Sequence, residues 1–414
     1  MAQEPSRDEQ IKKALEQLKS KNAGSRQKAV NTLAKLQAEE YANLIVELLK
    51  DDYEDVRQSA IKALVELGAN EYANKVADLL KDEDEYVCIS ALGALVELDA
   101  YELAREYTSE IAELLKCDSA KARREAILVL CVLQAKEYAS EIAELLKDND
   151  ANVRAEAISA LMTLRTTECE YIEEIAGLFN DKDGFVRSSV ISTLELLQAK
   201  EYTKNIAEYL KDENGSVRSS SIEALARFQA KEYTKDIAKF LNDSEPFVRS
   251  SAVWALKEFS AREYTKEIAG LLNDEVSSAN VIDTLVEFQA KEYTKDIAEL
   301  LKDGDKRGRE NAVIALGKFG AKEYAKDIVK LLKEDVVRSS ALQALGKLEA
   351  KEYVKDIAEL LKEEENEYLR GNAIRTLGKL GAKEYTEDIN TLLSDESEYV
   401  RKSAEEVLKK WGVD

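Results

Sequence analysis

Arginine follows valine at seven places along the chain: Val56-Arg57, Val153-Arg154, Val186-Arg187, Val217-Arg218, Val248-Arg249, Val337-Arg338 and Val400-Arg401. Aspartates precede most of them by a few residues, among them Asp51, Asp148, Asp181, Asp212, Asp243 and Asp395. A column of guanidiniums can hold phosphates or carboxylates by paired hydrogen bonds. The same groups can instead bind the aspartates beside them and tie down exposed turn backbone, which is the reading preferred here. Other candidates are weaker. The 82 carboxylates include no complete calcium loop; Asp148-Asn149-Asp150-Ala151-Asn152 and Asp303-Gly304-Asp305 come nearest, and both read as ordinary turns. Cys88, Cys117, Cys131 and Cys169 form no CxxC pair, and Cys88 stands where an arginine would otherwise fall. No histidine is present, so the usual general base, zinc ligand and physiological pH switch are all missing. The expectation is no catalytic group, no metal and no cofactor.

The elements that carry these residues follow from a repeated phrase, AKEYTKDIAELLKD or a close variant. Its tyrosine falls at Tyr41, Tyr72, Tyr107, Tyr138, Tyr171, Tyr202, Tyr233, Tyr264, Tyr293, Tyr324, Tyr353 and Tyr385, at intervals of 29 to 35 residues. Such a period marks a solenoid, whose units bury their apolar faces only against their neighbours. In residues 230–259, Tyr233, Ile237, Ala238, Phe240 and Leu241 make one apolar stripe, which predicts a first helix from Ala230 to Asn242. Pro246 after Asp243-Ser244-Glu245 suits the start of a second helix, whose apolar face is Val248, Ala252, Val253, Leu256 and Phe259. The tyrosine ring is expected to pack between units with its hydroxyl toward solvent. The fold class is therefore all-α, an α-solenoid of about thirteen helix pairs. It is read as one array, with residues 1–37 as an N-terminal cap, 38–383 as core repeats and 384–414 as a C-terminal cap. Glu405 replaces a core aliphatic in the last unit, as a cap requires.

Composition agrees with a folded helical chain: 45% of residues are apolar, 34% are charged, and Pro5 and Pro246 are the only prolines. No apolar run is long enough to cross a bilayer, so no membrane partner is expected. A net charge of −22 argues against nucleic acid as a partner. The opening MAQEPSRDEQ is polar and acidic, and the thiols are scattered, which makes the cytoplasm the expected compartment. An exported mature chain is the alternative.

An aspartate closing the first helix, then Val-Arg and a small-small-aliphatic run, resembles the HEAT-repeat superfamily, in particular the short bacterial and archaeal units also found in phycobilin lyases. The resemblance covers essentially the whole chain, with Leu369-Arg370 as a near match and Lys-Glu-Tyr where many relatives have proline and alanine. It implies that the Asp–Arg pairs are structural and that second helices line a concave face. On that face one column reads Asn31, Lys62, Gly93, Leu128, Ser159, Ser192, Glu223, Trp254, Asp283, Ile314, Gln343, Arg375 and Glu406. Leu128, Trp254 and Ile314 are its large apolar members, and an exposed tryptophan is a common binding anchor. One turn on, the face carries Arg227, Glu258, Glu287, Lys318, Lys347, Lys379 and Lys410, acidic and then basic.

The function expected is a non-catalytic scaffold for a protein or peptide partner. Leu128, Trp254, Ile314, Lys347, Arg375 and Lys379 are the expected contacts, the basic ones favouring an acidic segment. A self-assembling structural protein and a phycobilin-lyase-like enzyme are the alternatives. Deoxyhypusine hydroxylase, a HEAT-repeat metalloenzyme built on His-Glu pairs, is excluded by the lack of histidine.

Overall fold

The computed structural model describes residues 6–164, 171–274, 278–303, 306–362 and 366–413. Cys169, Gly304 and Asp305 lie outside the described residues, as do positions 275–277 of the shortened unit that follows Asn273. The chain divides into two compact units, Met1–Tyr202 and Thr203–Asp414, and each is described by itself. Both are all-α solenoids, and thirteen second helices occur among the described residues.

The repeat containing Trp254 shows how the sequence builds one unit. Its second helix runs Pro246–Glu258, with proline in the first turn where no backbone N–H partner is lost. Val248, Ala252, Val253 and Leu256 are fully buried and Phe259 is nearly so. The first helix differs from the expected continuous Ala230–Asn242. Ala230 stands outside it, with ψ at 65°, and the segment divides into a 3-10 turn Lys231–Tyr233, an α-helix Thr234–Ala238 and a 3-10 turn Lys239–Asn242. The break comes at Tyr233, whose φ of −93° and ψ of 4° lie in the bridge region. The Thr234 hydroxyl then donates to the Lys231 carbonyl at 2.6 Å. Of the expected stripe only Ile237 and Leu241 are buried; Tyr233, Ala238 and Phe240 are half-buried.

Second helices whose C-terminal ends are described close on a left-handed residue, a role in which glycine is the usual choice. Here Gln37, Gln134, Gln198, Gln229 and Gln289 take it, each with φ between 49° and 59°. At Gln229 the Ala230 N–H donates to the Leu225 carbonyl, which closes the helix, and the glutamine amide donates to the Ala226 carbonyl at 3.1 Å. The side chain thus offsets part of the strain its own conformation carries.

The first unit begins with the helix Arg7–Gln17, capped reciprocally by Ser6 and Glu9. Arg7 donates to the carbonyls of Leu36 and Gln37. Where the tyrosine spacing lengthens before Tyr107, the extra residues form a six-residue helix, Tyr101–Glu106. The second unit ends in Glu398–Trp411, with Trp411 buried at 9% exposure and Glu405 exposed. One second helix of this unit, Arg338–Lys347 at 10 residues, is shorter than those whose ends are both described.

Candidate interaction surface

The arginine column is used up within the protein. Arg154 donates from Nε and Nη2 to the Asp181 carboxylate at 2.7 and 2.6 Å, and from Nη1 to the Asp148 carbonyl at 2.8 Å. Arg154 thus holds the turn of its own repeat by the carbonyl and the turn of the next by the carboxylate, whereas Arg338 pairs with Asp335 of its own turn and Arg401 bonds the Asp395 and Glu396 carbonyls of its own turn. Arg26–Asp51, Arg57–Asp82 and Arg123–Asp148 repeat the Arg154 pairing in the first unit. Arg218–Asp243, Arg249–Asp274 and Arg370–Asp395 do so in the second. The aspartate also accepts a backbone N–H two residues on, as Asp181 does from Asp183 at 2.9 Å, and so starts the turn. Burial would push the Asp181 carboxyl up, but the bonds from Arg154 and Asp183 outweigh it and hold it below its ordinary value.

One rung of the first unit is built otherwise. Cys88 occupies the arginine position and Cys117 the aspartate position, since Arg123 donates to the Cys117 carbonyl as Arg154 does to that of Asp148. The Cys88 thiol donates to the Asp82 carbonyl at 3.2 Å, and burial pushes it up to about 11. A thiol so protonated is a poor nucleophile. Burial raises Cys117 and Cys131 as well.

The repeat tyrosines are half-buried. Tyr202 shows the packing: its ring lies 6.1 Å from that of Phe179. In the Asp148-Asn149-Asp150 turn, Asp148 is paired with Arg123 and Asp150 accepts the N–H groups of Asn152 and Val153, so neither carboxylate is aimed at a vacant site. Among the described residues, no three cysteine or carboxylate groups are placed to hold a metal ion.

The face formed by the second helices is different, because side chains there remain exposed. In the first unit it bears Leu128, Val132 and Leu196, exposed by 38%, 54% and 60%. A cleft of 380 Å³ on this face is lined by Lys62, Glu66, Tyr86, Gly93, Glu97 and Glu125, among others.

In the second unit Trp254 is half-buried in a 310 Å³ cleft with Ser219, Glu223, Arg227 and Phe247. The Arg227 guanidinium sits 5.4 Å over the indole, a cation–π contact that fixes the ring. Ser251 donates to Glu223 at 2.7 Å and lies 2.8 Å from Ser219, so the cleft floor is an ordered polar network. Phe247, from the same second helix as Trp254, is 40% exposed at the rim. Ile314 is half-buried on this unit's face, and Lys347, Arg375 and Lys379 are exposed.

Arg375 is already engaged. Its guanidinium lies 4.9 Å over the Tyr399 ring and 3.5 Å from Glu406. Tyr399 is seated over Gly371, where a Cβ would come within 2.3 Å of the ring. Of the six expected contacts, the second unit holds five and the first holds Leu128 alone. The sequence reading passed over Phe247, Tyr368, Val132 and Leu196, all exposed. For two of these a signal existed: Phe247 and Tyr368 each directly precede the apolar residue of the Val-Arg or Leu-Arg pair, as Phe185 and Tyr399 precede its valine and Tyr86 precedes Val87 beside Cys88.

Comparison with known proteins agrees with this architecture. The family model for HEAT repeats matches residues 11–96, 108–195, 202–279, 268–346 and 329–409, and the chain belongs to the HEAT-repeat family. Among solved structures it is similar to importin beta (TM-score 0.70, 14% identity, covering 97% of this chain and 67% of that one). It is also similar to Kap95p bound to RanGDP (TM-score 0.72, 12% identity, 97% and 66%). A third similar structure is the Kap95–Nup1 complex (TM-score 0.64, 12% identity, 97% and 67%). The chain thus spans about two thirds of the length of these proteins, and at such identities the likeness is one of fold. The sequence matches no curated protein. None of the helices among the described residues is long and apolar enough to cross a membrane.

Proposed function

We propose that this chain is a non-catalytic scaffold that binds a protein or peptide along the face of its second helices. The observation that carries the reading is the Trp254 cleft: an indole held by Arg227, open to solvent, above an ordered polar floor. Large, pre-ordered aromatic anchors of this kind dominate the energetics of protein interfaces. Leu128 offers an apolar contact in the first unit, and Ile314, Lys347, Arg375 and Lys379 extend the second unit's face toward an acidic segment. The neighbouring folds support protein as the partner class, since Kap95p binds RanGDP and forms a complex with Nup1. The test is photo-crosslinking from the rim of the cleft followed by mass spectrometry, repeated with Trp254→Ala. The substitution is expected to abolish the crosslinks made by the intact chain. Unchanged recovery of every partner would remove the anchor and the reading with it.

A further inference from the structure

Lys318, Lys347, Lys379 and Lys410 come from four successive second helices of the second unit, one from each, at equivalent positions in the last turn or next to it. All four are exposed, and among the described residues no carboxylate is paired with any of them. Glu349 feels Lys379, but it is bonded to Lys322 at 3.1 Å. A helix C-terminus favours a cation, yet that alone does not explain the row, because Glu258 and Glu287 hold the same place in two preceding helices.

Glycines set the spacing. Gly317, Gly346 and Gly378 directly precede three of the lysines. A Cβ at Gly317 would meet the Ala344 Cα at 3.0 Å, and one at Gly378 would meet a Val407 methyl at 2.5 Å. The glycines thus admit direct contact between successive second helices, and the axes of helices packed in this way lie roughly 8–10 Å apart. An extended polyproline-II chain has three residues per turn and rises about 3.1 Å per residue, so every third side chain returns to the same side after about 9 Å. A β-strand returns its side chains after about 7 Å, which does not match.

Resting on the scaffold reading above, we infer that the lysine row binds an extended acidic peptide whose carboxylates recur at every third residue. Charge complementarity selects an acidic ligand, and the helix pitch selects its spacing. The net charge of −22, with Glu258, Asp283 and Glu287 on the same unit, disfavours nucleic acid and orients the peptide's acidic stretch toward the C-terminal repeats.

Three labelled peptides of Pro, Gly and Ser, each with four glutamates placed every second, third or fourth residue, test this by fluorescence anisotropy on the full chain. The every-third peptide is expected to bind at least about 10-fold tighter than the others and to weaken with salt. Lys347→Gln with Lys379→Gln should weaken it by at least about 10-fold. Lys326→Gln with Lys355→Gln, an equal charge change on first helices, should leave it unchanged. Equal affinity for all three spacings, indifference to the Lys347/Lys379 change, or equal binding of a single-stranded oligonucleotide of the same charge would overturn the inference. If the Trp254-dependent crosslinks persist in that case, the scaffold reading stands and only the spacing argument falls.

Discussion

Two rungs of the first unit do one job with different chemistry. Between Arg154 and Asp181 a buried guanidinium and carboxylate join adjacent repeats through two bonds, with a third to the Asp148 carbonyl. At Cys88 and Cys117 both partners are replaced, and a neutral thiol keeps only the carbonyl contact. The lesson is that the fold needs each turn carbonyl satisfied and no buried charge left alone. It does not need every rung to be ionic. That agrees with the general asymmetry of buried pairs: removing one partner is costly, whereas removing both can be nearly neutral.

The largest effect should come from breaking the ionic rung on one side. Arg154→Ala leaves Asp181 without its guanidinium and is expected to destabilise the surrounding repeats by about 3 kcal/mol, read as faster amide exchange in the Asp181 turn. Replacing both partners, Arg154→Cys with Asp181→Cys, should recover at least about 1 kcal/mol over Arg154→Cys alone. A double variant as unstable as the single one would contradict the comparison.

Acid should separate the rungs next. Asp181 is held below its ordinary 3.8 in the folded chain, so its contribution is complete above that value and is lost as pH falls through the folded one. Exchange protection in the Asp181 turn should therefore drop below about pH 3.8 while the Cys117 turn, which has no carboxylate at this position, changes less. Equal loss at both turns would show that the ladder is not what titrates.

The smallest effect belongs to the thiol itself. Cys88→Ala should cost about 1 kcal/mol or less, since one weak bond is lost. With its thiol pushed up to about 11, Cys88 should also react with iodoacetamide at pH 8 more than about 10-fold slower than a free thiol. Rapid labelling of the native chain at Cys88 would show that the rung opens.

Much of this was legible beforehand, for identifiable reasons. The period of the tyrosines and the stripes at Ile237 and Leu256 disclosed the repeat, because an apolar face must recur where neighbours cover it. The Arg–Asp pairing was also visible, but not its direction. Arg154 lies 6 residues from Asp148 and 27 from Asp181, and it uses the carbonyl of the first and the carboxylate of the second. The sequence did not join Cys117 to the arginine position at Cys88, because the residues that form Tyr101–Glu106 separate them. The left-handed glutamines went unseen since glycine is the usual signal there, and the glutamine's own amide bond is what makes the substitution tolerable.

Sequence alone thus determined the repeat, its pairing of elements and the buried face of the second helices, because these follow from local periodicity and from what water excludes. Which side chains meet across repeats was decided only in three dimensions. The Arg227–Trp254 stack, Arg375 over Tyr399 and the close approach at Gly378 each depend on the register of one helix against the next. That register is set by packing between residues some 25 to 30 positions apart, a distance at which no local pattern specifies the contact.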